Sequence, residues 1–194
     1  MSPEVLARLL GYHCLYAPEA ELRDLCAAFA RTAAQAFLEI GTHRGCTSAA
    51  IALAFPSARI VTLDLPDSLR TTWNPLPRAQ VGEAHRALGV AHRIDQRFMD
   101  SDELWRLTGC GECFDLVFID GDHSPAAVFR DLMLAADLLP PTSGTLLAHD
   151  YTDPHEPARP NWTLGVQQAV DRFIAARPFR KHRLAGLLVA LERA

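Results

Sequence analysis

Short apolar runs alternate with longer amphipathic stretches along the chain, and this alternation constrains the fold more than any other feature of the sequence. Runs rich in Val, Ile, Leu and Phe are typical of buried strands, while the stretches between them repeat their apolar residues with the period of a helix. Strands and helices that follow one another in turn form a mostly parallel sheet with helices packed on it. The sequence therefore predicts an α/β fold of the Rossmann-like, doubly wound class.

The apolar pattern places six strands and six helices. The predicted strands are Ala36–Ile40, Arg59–Leu63, Ala91–Arg97, Leu116–Asp120, Thr145–Ala148 and Leu187–Glu192. The predicted helices are Pro18–Ala34, Thr47–Ala54, Val81–Leu88, Ser101–Leu107, Ala126–Leu139 and Val166–Arg177. The first helix carries Leu22, Leu25, Cys26 and Phe29 on one face with charges opposite, so we expect it to cover the sheet or to meet a second subunit in a homodimer.

Two longer segments, Pro66–Gln80 and Tyr151–Leu164, match neither pattern. Long loops inside a compact domain commonly bind ligands. We therefore expect both segments to border a binding site, with Trp162, His155 and Arg159 as contacts made by the second, although the second could equally be a solvated linker stiffened by prolines.

The size of the chain favours one domain over residues 1–194, with residues 1–35 as an N-terminal helical cover. A chain of 194 residues that is 49% hydrophobic can bury a core without disulfides or structural metal. Its longest strongly apolar stretch, Leu184–Leu191, is far shorter than the roughly 20 residues that cross a bilayer. The N-terminal residues also lack the pattern of a secretory signal. We expect no membrane span and a cytoplasmic protein.

Charge and cysteine content exclude further classes. The chain has 19 basic and 23 acidic residues, a net charge of −4 and no basic run, so nucleic acid is not an expected partner. An odd number of cysteines, five, suits reduced thiols. Cys110 and Cys113 form a C-x-x-C pair, but there is no second pair for zinc and no following helix for a redox motif, so we interpret them as loop cysteines.

A glycine turn follows the first predicted strand. Gly41, Thr42, His43, Arg44 and Gly45 lead from that strand into the predicted helix at Thr47. Glycines let a backbone approach a ligand closely, and the start of a helix attracts an anion through its free N–H groups. This strand, turn and helix therefore predict a nucleotide-type site.

Acidic residues beside the turn define the ligand further. Glu39 gives the pattern E-x-G-x-x-x-G in place of the dinucleotide fingerprint G-x-G-x-x-G. A carboxylate there would repel a diphosphate and attract an ammonium group, whose partner carboxylate would face the helix start at Thr47 and Ser48. Asp64, 23 residues after Gly41, ends the second strand, where an acid commonly binds ribose hydroxyls. An amino acid joined to a ribose describes S-adenosylmethionine.

Three segments in order, EIGTHRGCTS, FIDGDHSPAAVFRDL and LLAHDY, then make the chain resemble the class I S-adenosylmethionine-dependent methyltransferases. The resemblance covers about Phe37 to the C-terminus and is strongest to small catechol-type and antibiotic-sugar O-methyltransferases. It implies seven strands with an antiparallel last strand, and methyl transfer to a small acceptor, with a hydroxyl oxygen as the expected target. It also implies that Asp100 and Ser101, after the third strand, border the adenine. Asp95 is the competing acid for this position, although it could instead be a solvated or paired residue of the strand. His43 would lie along the methionine part or be an exposed turn residue.

A second group of polar residues follows the fourth and fifth predicted strands. Asp120, Asp122 and His123 come after one strand, and His149 and Asp150 come after the next. The carboxyl ends of parallel strands meet at one edge of a sheet, so these side chains are expected to face a common crevice. Methyl transfer to a hydroxyl needs a base or a Lewis-acid metal to remove the proton, and this group offers both.

The resemblance assigns roles within this second group. In the related O-methyltransferases the positions of Asp120, His149 and Asp150 hold a divalent metal. The resemblance therefore implies Mg²⁺ or Mn²⁺ at these three residues. His149 departs from the relatives, which carry an acid there, and a nitrogen ligand suits Mn²⁺, iron or Zn²⁺ better than Mg²⁺. His123 and Asp122 are the two candidates for a catalytic base, although His123 could instead cap the next helix and Asp122 its own turn.

Two other functions fit parts of the pattern. Asp64 would also serve the ribose of NAD in a dinucleotide-dependent oxidoreductase, and the fold could serve as a non-catalytic nucleotide-binding module. The absence of G-x-G-x-x-G argues against the first alternative. The intact set Asp120, Asp122, His123 and Asp150 argues against the second.

Overall fold

A computed structural model of the chain describes residues 3–12, 18–31, 35–70, 76–152 and 163–194. The helices are α1 (Pro3–Leu10), α2 (Pro18–Arg31), α3 (Cys46–Ala54), α4 (Glu83–Ala87), α5 (Trp105–Gly109), α6 (Pro125–Ala136) and α7 (Thr163–Ala176). The strands are β1 (Ala36–Ile40), β2 (Arg59–Asp64), β3 (Ile94–Phe98), β4 (Leu116–Ile119), β5 (Thr145–Ala148), β6 (Phe179–Arg183) and β7 (Val189–Arg193). No helix among these residues is both long and apolar enough to span a bilayer.

The seven strands form one sheet in the order β3-β2-β1-β4-β5-β7-β6. Strands β1 to β5 pair in parallel, and β7 is antiparallel to both of its neighbours, β5 and β6. Ile40 on β1 is in register with Leu63 on one side and Ile119 on the other, so the carboxyl ends of the central strands lie level with one another. The predicted Rossmann-like class and the antiparallel last strand are confirmed.

Two elements were not predicted, α1 and β6, and the sequence shows why β6 was missed. Its residues Phe179–Arg183 are mostly exposed and mostly basic, so they lack the apolar run by which the other strands were found. The strand forms at the edge of the sheet because β7 supplies hydrogen-bonding partners on its inner side. Tertiary pairing, rather than an apolar pattern, decides this element.

Several predicted boundaries were wrong, for local reasons. Strand β3 begins at Ile94 because Ala91–Arg93 form a 3-10 turn. The predicted helix Val81–Leu88 shrinks to α4 because Gly82 adopts a φ of 64° just before it. The predicted helix Ser101–Leu107 is a 3-10 turn followed by α5.

Other elements differ from prediction at their ends, by one residue for α3, β2 and β4 and by more for the following. Helix α6 begins at Pro125 because the Ser124 side chain accepts the Ala127 N–H, and it ends at Ala136 rather than Leu139. Helix α7 begins at Thr163, before the predicted Val166. The last strand covers Val189–Arg193 rather than Leu187–Glu192.

The two unassigned segments are only partly described. The first contains 3-10 turns at Asp67–Leu69 and Arg78–Gln80, while residues 71–75 lie outside the described part. Residues 153–162 also lie outside it, and with them the predicted contacts Trp162, His155 and Arg159.

Apolar side chains are buried on both faces of the sheet, as a doubly wound fold requires. Strand β1 shows this directly, because all five of its residues are buried and its apolar side chains alternate between two clusters. Leu38 and Ile40 belong to the cluster under α6 and α7, and Phe37 belongs to the cluster under α2 and α3.

Helix α2 packs its apolar face on the sheet of its own chain. Leu22, Leu25 and Phe29 are buried in the same cluster as Phe37, and the Phe29 ring packs edge to face on Phe37 with centroids 6.0 Å apart. The expectation that the charges of this helix lie on the opposite face was wrong at one position, because Glu21 is buried with the apolar residues.

Removing the Phe29 ring tests how much α2 contributes to stability. Phe29→Ala is expected to lower the free energy of unfolding by about 3 to 5 kcal/mol, because it empties a buried aromatic site shared by Phe37 and Phe55. Urea unfolding followed by circular dichroism measures the loss. Arg23→Ala on the same helix is the control, since its side chain is 70% exposed and should cost little. Equal small losses in both variants would contradict the packing described.

Candidate active site

The carboxyl ends of four neighbouring strands bring the predicted site residues to one edge of the sheet. The glycine turn follows β1, Asp64 ends β2, Asp120 follows β4, and His149 and Asp150 follow β5. The turn and the β4 end are in direct contact, because the Asp120 N–H donates to the Ile40 carbonyl over 2.9 Å. This is the edge at which open parallel sheets bind their ligands.

Backbone hydrogen bonds hold the glycine turn against the neighbouring strand. The N–H groups of Gly41 and Thr42 both donate to the Leu63 carbonyl, and the N–H of Gly45 donates to the Thr42 carbonyl. Helix α3 begins directly after Gly45, and no side chain caps its start. The first N–H groups of α3, at Cys46, Thr47 and Ser48, form the positive helix end expected to attract an anionic ligand group.

The two glycines are required by neighbouring protein atoms. Gly41 has a φ of 98°, and a Cβ there would overlap the Asp120 carbonyl. Gly45 has a φ of 81°, and a Cβ there would overlap the His85 ring. Glycine at these two positions therefore allows the end of β4 and helix α4 to pack closely on the turn. It would also allow a ligand to approach the turn closely.

Comparing two glycines separates the effect of positive φ from that of close packing. Gly89 has a φ of 74°, but a Cβ added there would meet no heavy atom within 4 Å, so Gly89→Ala should cost about 1 to 2 kcal/mol of unfolding free energy. Gly41→Ala should cost more than about 3 kcal/mol, because strain and overlap with the Asp120 backbone add together. Urea unfolding of both variants measures the difference, and equal costs would show that the overlap relaxes freely.

Glu39 lies beneath the turn, where hydroxyl groups surround it. The carboxyl is 1% exposed, and its Oε2 accepts the Thr62 hydroxyl over 2.6 Å. Thr62 is in turn 2.7 Å from the Thr42 hydroxyl, which links the carboxyl to the turn. On the other side Glu39 interacts with Ser48, whose Oγ is 2.7 Å from Nε2 of His85.

Burial changes the ionisation of this network. It raises the pKa of Glu39 to about 8, against the hydrogen bonds from Thr62 and Ser48, and it lowers the pKa of His85 to about 4. Near pH 7 both groups are mainly neutral. Glu39 would then neither repel a diphosphate nor attract an ammonium as a full charge, so the contact with a ligand ammonium expected from the sequence stays a prediction.

The raised pKa of Glu39 predicts a pH dependence of stability. Because the carboxyl holds its proton in the folded protein up to about pH 8 and loses it near pH 4.5 when unfolded, its burial favours folding less and less as pH rises between these values. Glu39→Gln should remove this loss, raising stability at pH 8 relative to pH 5 by at least about 1.4 kcal/mol, the equivalent of one pKa unit. Urea unfolding at both pH values measures it.

The control for this pH dependence is Glu19→Gln, because Glu19 is a largely exposed acid on α2. Its substitution should leave the pH dependence unchanged. The same slope in wild type and Glu39→Gln would show that Glu39 is ionised when folded.

Asp64, the expected ribose ligand, is buried and already has two partners. Its Oδ2 accepts the His43 N–H over 2.8 Å, and its Oδ1 accepts from Arg70 over 2.7 Å. Arg70 also donates to the carbonyls of Leu65 and Leu76. It thereby holds these two residues, one on each side of it in the chain, near the Asp64 carboxylate. Sequence reasoning missed Arg70, because nothing in the local pattern shows that the loop folds back onto the end of β2.

His43 and the residues after β3 occupy the remaining predicted cofactor positions. His43 has a φ of 46°, and its Nδ1 is buried with no hydrogen-bond partner in the described part of the chain. Asp100 accepts the Asp102 N–H, and Ser101 accepts from Arg130 on α6. Asp95, the competing acid, instead pairs with Arg97 over 2.6 Å on the exposed side of β3.

Three side chains converge where β4 and β5 end. One ligand atom each from Asp120, His149 and Asp150 lies within 4.8 Å of the other two, and no other such group of metal-binding residues occurs among the described residues. Nδ1 of His149 is 3.3 Å from Oδ1 of Asp120 and 3.1 Å from Oδ1 of Asp150. That nitrogen is buried yet makes no well-directed hydrogen bond, so it faces the space between the two carboxylates.

The two candidate bases differ in their surroundings. Nε2 of His123 is 2.8 Å from Oδ2 of Asp150 and 3.8 Å from Oδ1 of Asp120, which places this imidazole in the same group. Asp122 is exposed, and its Oδ1 accepts the Ser124 N–H within its own turn. The structure brings His123 to the converging group and leaves Asp122 at its rim.

The charges in this group stabilise one another. The nearby carboxylates of Asp120 and Asp150 raise the pKa of His123 to about 10. Burial opposes a charged His149, but Asp120, Asp150 and Glu21 together raise its pKa. Burial also opposes the charged carboxylates, but the two histidines lower the pKa of Asp120 and of Asp150. Without a bound cation, protons on the imidazoles therefore balance the acids.

A third acid, Glu21, reaches this group from α2. It is fully buried, with Oε2 3.4 Å from Nε2 of His149 and Oε1 accepting the Leu187 N–H over 2.7 Å. Sequence reasoning missed it, although a signal existed: Glu21 precedes Leu25 by four residues and so shares the apolar face of the helix.

Comparison with known proteins now defines the class. Residues 38–151 match the family model described as a methyltransferase domain, so the chain belongs to that family. The match covers the glycine turn, Asp64 and the three converging side chains after β4 and β5, and it does not favour the dinucleotide-dependent oxidoreductase. The comparison with curated proteins finds no match.

Solved structures share the fold. Cofactor-bound Rv0187 from MTB aligns with a TM-score of 0.73 at 22% identity, covering 99% of this chain and 90% of that one. The O-methyltransferase TomG from Streptomyces achromogenes, in complex with SAM, aligns with a TM-score of 0.70 at 22% identity, covering 100% and 92%. An O-methyltransferase from Bacillus cereus, in complex with SAH, aligns with a TM-score of 0.68 at 18% identity, covering 98% and 91%.

Proposed function

We propose that this protein transfers a methyl group from S-adenosylmethionine to a hydroxyl oxygen of a small acceptor, with a divalent cation at the acceptor site. One observation carries the proposal: Asp120, His149 and Asp150 converge directly beside the glycine turn of a methyltransferase domain. The O-methyltransferases of similar fold that were solved with SAM or SAH support the cofactor and the oxygen acceptor.

The cofactor is proposed to lie across the ends of β1, β2 and β3. The start of α3 after Gly45 faces its carboxylate, with Thr47 in the first turn. Asp64 accepts its ribose hydroxyls, while the contacts with Arg70 and the His43 N–H hold that carboxylate in position. Asp100 and Ser101 border its adenine.

The three converging side chains offer carboxylate oxygens and an imidazole nitrogen, and so fit a cation that binds both kinds of atom. Two carboxylates and one imidazole suit Mn²⁺, and Mg²⁺ less well, because Mg²⁺ favours oxygen ligands only. The buried Nδ1 of His149, without a well-directed hydrogen bond, is the atom on which the fit rests. A cation bound there supplies a Lewis acid that lowers the pKa of an acceptor hydroxyl.

The side chains around the cation site then orient the acceptor and remove its proton. In-line transfer needs the acceptor oxygen about 3 to 3.5 Å from the methyl group, so positioning contributes most of the rate. His123, held through Nε2 by Asp150, is the first candidate to receive the hydroxyl proton, which requires that a bound cation first offset the carboxylates that keep this imidazole protonated near neutral pH. The exposed carboxylate of Asp122 at the rim is the second.

The architecture around the site favours a small acceptor. Apolar residues of α1 and α2 lie in one cluster with those of the sheet, and residues 1–35 are proposed as the helical cover of a single domain of residues 1–194. In such a domain α2 and the loops after β2 and β5 bound the acceptor. We propose that the acceptor is a small molecule and that nucleic acid is not a partner.

Calorimetric titration with S-adenosylhomocysteine and with Mn²⁺ tests the two parts of this proposal separately. Wild-type protein should bind both, and its affinity for Mn²⁺ should rise with pH, because the raised pKa of His149 means that a proton must leave before the nitrogen can bind a cation. Asp150→Asn should weaken Mn²⁺ binding at least tenfold and leave S-adenosylhomocysteine binding unchanged. Asn tolerates the φ of 61° at this position, so the variant is expected to fold.

Asp95→Asn is the control, because that acid lies on the exposed side of β3 away from the group. It should bind both ligands as wild type does. No binding of S-adenosylhomocysteine at millimolar concentration would overturn the cofactor, and no binding of Mn²⁺ would overturn the cation site alone.

A further inference from the structure

Helix α2 places a carboxylate behind the converging group, on the side opposite the two aspartates. Glu21 is fully buried, and its Oε2 lies 3.4 Å from Nε2 of His149. Oε1 is held by the Leu187 N–H over 2.7 Å. Gly186, with a φ of 58°, leaves the space for this carboxylate, because a Cβ there would overlap Glu21.

The two nitrogens of His149 therefore face different surroundings. Nε2 faces a carboxylate oxygen, which can only accept a hydrogen bond when ionised, so a hydrogen bond here requires the proton to be on Nε2. Nδ1 faces the space between Asp120 and Asp150, at 3.3 and 3.1 Å from their oxygens. A neutral imidazole with its proton on Nε2 has its lone pair on Nδ1.

We propose that Glu21 is a positioning residue of the cation site: by accepting the Nε2–H of His149, it presents the Nδ1 lone pair to a cation shared with Asp120 and Asp150. This inference rests on the cation site proposed above. Outer carboxylates that orient a metal-binding imidazole typically change metal affinity 10- to 100-fold when they are replaced. The N-terminal helix is thereby part of the site as well as a cover for the sheet.

A purely structural role for Glu21 has a matched comparison in the same helix. Asp24 also fastens α2 to the turn before β7, because its Oδ2 accepts the Ala185 N–H over 2.7 Å. It thus anchors the same helix to the same turn, and its described contact is with that backbone rather than with His149. Glu21 and Asp24 share the anchoring, and Glu21 adds the contact with the imidazole.

Glu21→Gln separates the two roles. The amide oxygen can still accept the Leu187 N–H, while the amide NH₂ turns toward Nε2 of His149 and donates to it. This donation places the imidazole proton on Nδ1, where a cation would bind. We expect Mn²⁺ affinity to fall 10- to 100-fold in Glu21→Gln and to stay within about twofold of wild type in Asp24→Asn.

Mn²⁺ binding to the full chain is measured by electron paramagnetic resonance and calorimetry, with S-adenosylhomocysteine affinity as the test of folding in each variant. The latter should be unchanged in all three proteins. Equal Mn²⁺ affinity in wild type and Glu21→Gln overturns the inference, and so does an equal loss in Glu21→Gln and Asp24→Asn, which would show that anchoring alone matters. A wild-type protein that binds S-adenosylhomocysteine but no Mn²⁺ overturns the cation site, and this inference with it, while the methyltransferase proposal stands.

Nitrogen-15 NMR of the wild-type histidines, recorded with Zn²⁺ as a diamagnetic probe, keeps the inference testable should Glu21→Gln fail to fold. The His149 signals should show a proton on Nε2 and a metal-shifted Nδ1 without one. A proton on Nδ1 in the Zn²⁺-loaded protein would overturn the inference.

Discussion

The imidazole of His149 holds together three carboxylates that would otherwise repel one another in a buried space. Asp120 and Asp150 face one of its nitrogens and Glu21 faces the other. Burying so many like charges is strongly unfavourable unless protons or a cation balance them. The carboxylates raise the pKa values of His149 and His123, so protons can supply this balance, and a divalent cation would supply it as well. The ends of β4 and β5 and the helix α2 bring these charged groups to one place.

Beneath the glycine turn, the titratable groups are neutral rather than paired with an opposite charge. Glu39 and His85 lie below the turn, and burial leaves both mainly neutral near pH 7. The Thr62 hydroxyl links Glu39 to Thr42 in the turn, and Ser48 at the start of α3 contacts both Glu39 and His85. The positive end of this helix is therefore not cancelled by a carboxylate beneath it, which suits a ligand that carries an anionic group. One edge of the sheet thus combines a region poor in formal charge with a group of balanced charges.

Much of this fold could be predicted from the sequence. Strands buried on both faces, such as Ala36–Ile40 and Thr145–Ala148, have continuous apolar runs, and both were predicted with the bounds that the structure gives them. Strand β6 could not be predicted because its residues are polar and it depends on pairing with β7. Predicted boundaries were wrong where a local turn set the start of an element, such as the turn at Gly82 before α4.

For the site, the sequence determined which chemistry-bearing residues follow each strand, because the carboxyl ends of parallel strands meet at one edge whatever the details of packing. Asp64, Asp120, His123, His149 and Asp150 could be named on that ground. Only the tertiary structure decided which of these groups lie within hydrogen-bond distance of one another. It also decided that Arg70 donates to Asp64, and that Glu21 contacts His149, which is 128 positions away in the chain. Contacts of this kind depend on side chains from elements distant in sequence, and on burial that changes their ionisation. Neither is encoded in local spacing, and both arise only when the helices close on the sheet.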